Sequence, residues 1–144
     1  MMHPAITAFL NTQAQAQIRL ARVGQTAVQE VLQPMFARHS GIMGLSWTQE
    51  MIGGCFVSLH RQPLVMVERD TIAHRQTEAF AAKMVGTLGM GWAKPDQLSA
   101  DHRRTYDCAI YDFRSIPNDV MHSVFGHDVR ITVTSSGQVG VEKL

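Results

Sequence analysis

The 37 residues from Met1 to Ala37 read as helix almost throughout yet carry only three formally charged side chains, Arg19, Arg22 and Glu30. A helix that meets water over most of its circumference normally carries more. The apolar residues Ile6, Leu10, Ala14, Ile18, Ala21, Val28, Leu32 and Met35 recur at steps of three, four or seven, while Gln13, Gln15, Gln17, Gln25, Gln29 and Gln33 supply polarity without charge. This is the pattern of a helix covered by protein. Unbroken, it would be roughly 50 Å long at about 1.5 Å per residue, longer than a compact domain of this size is wide. Part of it is therefore expected to pair with another helix, with Ile6, Leu10, Ile18, Val28 and Leu32 as the seam of a homo-oligomer. Gly24 offers the alternative: a break there folds residues 1–40 into two short helices packed on the rest of the protein.

Residues 41–144 are expected to form one α+β domain, since 144 residues bury about two-thirds of their unfolded surface and need no staples. Leu45 to Ile52 fits either a helical turn capped by Ser46 or an edge strand, whereas Cys55 to His60 and Leu64 to Glu68 read as strands joined near Arg61-Gln62-Pro63. A second helix capped by Asp70 or Thr71 runs to about Leu88 on the stripe Ile72, Ala79, Phe80, Met84, Leu88. Gly91 to Pro95 reads as a loop carrying Trp92. Ser99 to Arg104 forms a helical turn, Thr105 to Phe113 a strand, and Pro117 opens a short helix that ends at Gly126 with Val120, Met121, Val124 and Phe125 inward. The clearest local signal is the closing hairpin: Val129, Ile131 and Val133 alternate with Arg130, Thr132 and Thr134, then turn through Ser135-Ser136-Gly137-Gln138 into Val139 to Glu142. The expected fold is a long N-terminal helical arm followed by a small antiparallel sheet of four or five strands, helices packed on one face and a C-terminal β-hairpin.

Charge narrows the partners. A net charge of +1 gives no long-range attraction to a polyanion, so nucleic acid is not implied. No run of about 18 apolar residues suggests a membrane span, and two cysteines make no disulfide framework, which places the chain in a reducing, cytoplasmic compartment. No cofactor motif is present. Seven histidines invite a metal reading, with His74 and Glu78 four apart on the second helix and His122, His127 and Asp128 grouped before the final hairpin, but no HExxH or CxxC spacing accompanies them. The sharpest enzymatic alternative is a hydrolase with Cys55 as nucleophile after Gly53-Gly54, His127 as base and Asp128 or Asp112 orienting it. Against it, Cys55 opens a strand rather than a helix and sits beside Phe56 and Val57 like a small core hydrophobe, a role Cys108 fits still better.

Ten of the thirteen basic residues are arginine, and the guanidinium fork suits phosphate or carboxylate. Arg61, Arg75, Arg103 and Arg104 can line a pocket for an anionic or nucleotide-like ligand, with Trp92 or Tyr106 stacking on a base. The glycines Gly86, Gly89 and Gly91 follow a helix instead of preceding one, so their amides are badly placed for phosphate. Nine methionines are mostly at core positions, Met43, Met51 and Met90 being the surface candidates. Weighed together, these residues describe a binding protein more than an enzyme: one that self-associates through its N-terminal helix and meets a protein partner as an inhibitor, adaptor or assembly component.

Overall fold

The computed structural model describes residues 2–68 and 90–144. The helix expected from Asp70 or Thr71 to about Leu88, with His74, Arg75 and Glu78, lies outside them. The element order is helix α1 (Pro4–Arg38), strands β1 (Gly44–Ile52), β2 (Cys55–Ser58), β3 (Leu64–Glu68) and β4 (Met90–Ala93), a 3-10 turn (Pro95–Gln97), helices α2 (Ala100–Ala109), α3 (Tyr111–Arg114) and α4 (Asn118–Phe125), and strands β5 (Val129–Thr134) and β6 (Val139–Lys143). The class is mixed α+β: a long N-terminal helix, an open antiparallel sheet and helices against it.

Helix α1 is continuous. His3 starts it, its Nδ1 accepting from the Ala5 amide at 3.1 Å, and Pro4 takes the first position, where a missing N–H costs nothing. Neither Gly24 nor Pro34 ends it. Pro34 is on the exposed side, so the Glu30 carbonyl that loses its helical donor there can turn to water. Gly24 marks a close approach instead of a break, because a Cβ on it would run into the Val124 side chain of α4. The last third of the helix belongs to the core through Val28, Leu32, Met35 and Phe36.

The sheet is built around β1. On one side β1 pairs with β5 from Gly44 to Gln49; on the other its first residues pair with β3 and its last with β2, so two short strands share one edge of a nine-residue strand. β4 extends β3 and β6 extends β5, giving the order β4-β3-β1-β5-β6 with β2 beside β1. The Leu45 to Ile52 segment is thus a central strand and neither the helical turn nor the edge strand expected. Its period-2 signal is blurred because polar Gln49 shares the inward face with Leu45 and Trp47, while outward-facing Ser46 is buried too. Trp92 sits in a strand and not in a loop: Gly91 and Trp92 pair with Val67 and Met66.

The stretch from Thr105 to Phe113 is helical, which corrects the strand expected there. The Ser99 side chain caps α2 by accepting from the His102 amide at 3.3 Å, and Tyr106, Ile110 and Phe113, spaced by four and three, enter the core. Cys108, between the first two, is exposed, as is Cys55; neither is the core residue expected. All the described helices contribute to one face of the sheet, where Trp47 meets Phe113 at 5.0 Å and Phe125 at 5.8 Å between ring centroids. The opposite face carries a smaller apolar group, Met66 and Trp92 with Met43, Leu64 and Met90. The C-terminal hairpin forms as expected, and α4 spans Asn118–Phe125 with Pro117 just outside it, although Val120 points to solvent.

Candidate functional site

Residues 2–20 of the arm are all exposed. Seventeen helical residues from Pro4 to Leu20, about 25 Å at 1.5 Å per residue, therefore stand clear of the domain, with Ile6, Phe9, Leu10, Ile18 and Leu20 uncovered. Most helical stability in proteins comes from tertiary packing, which this segment lacks, so it leans on its continuity with the buried last third. Of the five expected seam residues, Ile6, Leu10 and Ile18 are available. Val28 and Leu32 are only 3% and 1% exposed, because the same stripe that is free near the N-terminus packs on the domain beyond Gly24. Between the free half of α1 and α4 lies an open groove of about 660 Å³ whose walls include Ile18, Ala21, His122 and Val124.

At the end of α4 near this groove, three residues singled out by their order in the chain come together. His122 Nε2 lies 3.0 Å from His127 Nδ1, one ring donating and the other accepting, and His127 Nε2 is 4.0 Å from Asp128 Oδ2. Phe56 of β2 stacks on His122 with ring centroids 4.3 Å apart, and the Met51 amide donates to Asp128 Oδ1 at 3.3 Å. The hairpin β1–β2 thus leans on the α4–β5 corner, where Gly126 and Asp128 take positive φ. The nitrogens that a metal would need are turned on each other, and among the described residues no group of three or more His, Cys, Asp or Glu is arranged to hold a metal ion. Cys55 is exposed on the same hairpin, opposite Ile52, and makes no hydrogen bond to His127, whose ring is engaged by His122. Nucleophile and base are not paired as a hydrolase requires.

The arginines scatter. Arg61 is exposed in the turn after β2, Arg104 is exposed on α2, and Arg75 lies outside the described residues. Neither aromatic partner can stack on a base: Trp92 is buried, and Tyr106 is enclosed, its hydroxyl donating to the Pro63 carbonyl at 3.0 Å and its ring 5.6 Å from the Arg114 guanidinium. Burial pushes the Tyr106 phenol well above its ordinary range, against the opposing pull of Arg114, so it stays neutral. Of Arg61, Arg103 and Arg104, Arg103 is the one that reaches a cavity. Its Nε donates to Asp107 at 3.4 Å, and Arg114 holds the same carboxylate oxygen at 2.8 Å.

That cavity, about 470 Å³, lies against the outward-facing side of β1 and β5, and chain-order reasoning missed it. Lys94, which follows β4, and Arg130 of β5 share its wall with Arg103. The three are 9 and 27 residues apart in the chain and meet only because β5 pairs with β1 and the turn after β4 leads into α2. A period-2 strand with arginine on its polar side was the one available hint, at Arg130.

Among the described residues no helix is long and apolar enough to cross a membrane. No family model matches the chain, and no curated protein and no solved structure matches it either.

Proposed function

We propose that the chain is a binding protein that self-associates through the projecting half of α1. The observation that carries this reading is the complete exposure of residues 2–20 on a helix with Ile6, Phe9, Leu10, Ile18 and Leu20 uncovered and no acidic side chain to solvate it. At about 100° per residue, Arg19 falls on the side roughly opposite Ile6, Leu10 and Ala21, while Arg22, one turn beyond Ile18, lies at the edge of the stripe, where its long side chain can carry the charge out to water. A surface of this kind is self-complementary, as the paired faces of a two-fold dimer must be. A protein partner would then meet an assembled form, consistent with an adaptor, inhibitor or assembly component. Two exposed, unpaired cysteines fit a reducing, cytoplasmic setting.

Light scattering on the purified protein tests the reading. The wild type is expected to be a dimer or higher oligomer, and the double substitution Leu10→Glu with Ile18→Glu is expected to be monomeric with an unchanged circular-dichroism melting curve, because both positions lie outside the core. A monomeric wild type, or a variant that keeps the wild-type mass, would overturn it.

A further inference from the structure

We infer that the groove between the free half of α1 and α4 is filled by the N-terminal end of α1 from a second copy, so that the two helices pair antiparallel and each copy completes the other's groove. The pairing rests on the self-association proposed for α1 and adds its direction and its second surface. Ile6, Leu10 and Ala14 precede Gly24, Val28 and Leu32 by about five turns, so the two sets lie on one line along the helix. The first set is exposed, whereas Gly24 lies against Val124 of α4, and Val28 and Leu32 enter the core.

A helix seated on the exposed part of that line therefore meets α4 where the line passes under the domain. A parallel partner cannot continue past that point, because both copies would place α4 in the same space between the helices. An antiparallel partner ends there. The helical residues that stand clear, Pro4 to Leu20, have Thr12 at their midpoint. Two copies paired about Thr12 overlap along this whole segment and hardly beyond it. Ile6 of one copy is then level with Ile18 of the other, Leu10 with Ala14, and His3 with Ala21, so at two of the three levels a larger side chain lies over an alanine.

The tip of α1 thereby arrives at the groove walls Ile18, Ala21, His122 and Val124 of the other copy, beside the last turn of its α4. The positive end of one helix dipole meets the negative end of another, which is favourable at contact. The arginines point the same way. In the antiparallel pair the two copies of Arg19 stand about 20 Å apart along the axis and those of Arg22 about 30 Å, more than twice the Debye length of about 8 Å. In a parallel pair they would be level, with no acidic residue before Glu30 to offset them.

The test is paramagnetic broadening between copies of the full-length protein. One copy carries Cys55→Ser, Cys108→Ser and Met2→Cys with a nitroxide on the new thiol; it is mixed with isotope-labelled wild type, and only the labelled amides are observed. Broadening at Ala21, His122 and Ser123 is expected. Broadening confined to residues 2–10 would mean a parallel pair and overturn the inference while leaving self-association standing, and a dimer with no broadening in either place would overturn the inference too. A sample that light scattering shows to be monomeric would overturn both readings. Ser123→Arg, at an exposed position that lines the groove and lies outside the α1 stripe, is expected to raise the dissociation constant of the dimer about tenfold. An unchanged dissociation constant would mean that the groove takes no part.

Discussion

Gln49 and His60 are enclosed completely, and the rest of the core is arranged to satisfy them. The Gln49 amide donates to the carbonyls of Met121 and Gly126, at 3.1 and 2.8 Å, and its oxygen accepts from the Trp47 indole at 2.9 Å. One side chain thereby ties the central strand to α4 and to Gly126, which ends it. His60 Nε2 is 2.6 Å from the Ile116 carbonyl, which can only accept, so Nε2 carries the proton and Nδ1 accepts from the Ser58 hydroxyl at 2.8 Å. Burial lowers the His60 pKa from 6.5, outweighing the opposite pull of that carbonyl, with the Arg61 charge adding to the lowering. The sign follows from linkage. Above the unfolded value neither state binds the proton; as the pH falls below it the unfolded chain takes it up before the folded one, so stability is lost on acidification until the folded value is reached. Urea unfolding midpoints at pH 7.5 and 5.5 are expected to differ more in the wild type than in His60→Gln. Parallel shifts in the two proteins would mean that His60 contributes nothing to the pH dependence. At neutral pH the same substitution should cost about 1–3 kcal/mol, since it disturbs a buried set of donors and acceptors.

Among the elements, those with an uninterrupted pattern were legible and those whose pattern is shared with polar residues were not. Val129, Ile131 and Val133 alternate strictly and alternate in burial, and the hairpin they start was plain in the chain. β1 hid its period because Gln49 takes an inward position that an apolar residue would normally occupy. In α2 and α3, Tyr106, Cys108 and Ile110 imitate a strand, and the core residue Phe113 is what reveals the helical spacing. Of the candidate cavity, Arg103 was singled out in the chain and Arg130 was hinted at by its place on the polar side of a period-2 strand, but nothing joined them to Lys94, because strand pairing and not chain order brings the three together. Gly24 shows the same limit at one position: it reads as a helix breaker, yet its function is to let α1 and α4 touch, which no local pattern reports. Gly24→Leu should therefore destabilise the protein by about 1–3 kcal/mol through overpacking against Val124, despite the better helix propensity of leucine. Thermal unfolding measures this directly, and a Tm equal to or above that of the wild type would show that the crossing is not tight.

For the whole molecule, the division runs through the middle of α1 and not at its end. Everything that holds the domain together lies beyond about residue 21, where Val28, Leu32, Met35 and Phe36 lock the helix to the sheet through the shared core. Removing residues 1–20 is expected to leave the melting temperature within a few degrees of the wild-type value at concentrations where the wild type is monomeric, since no core residue is lost. The same truncation should abolish self-association, and a truncated protein that still sediments as an oligomer would move the interface elsewhere on the surface. The contact of Gly24 with Val124 also makes α1 a lever with its fulcrum at the domain surface. With about 30 Å of helix beyond that point, a tilt of about 10° carries the N-terminus about 5 Å, so a small repacking of α4 is geared up into a large displacement at the tip.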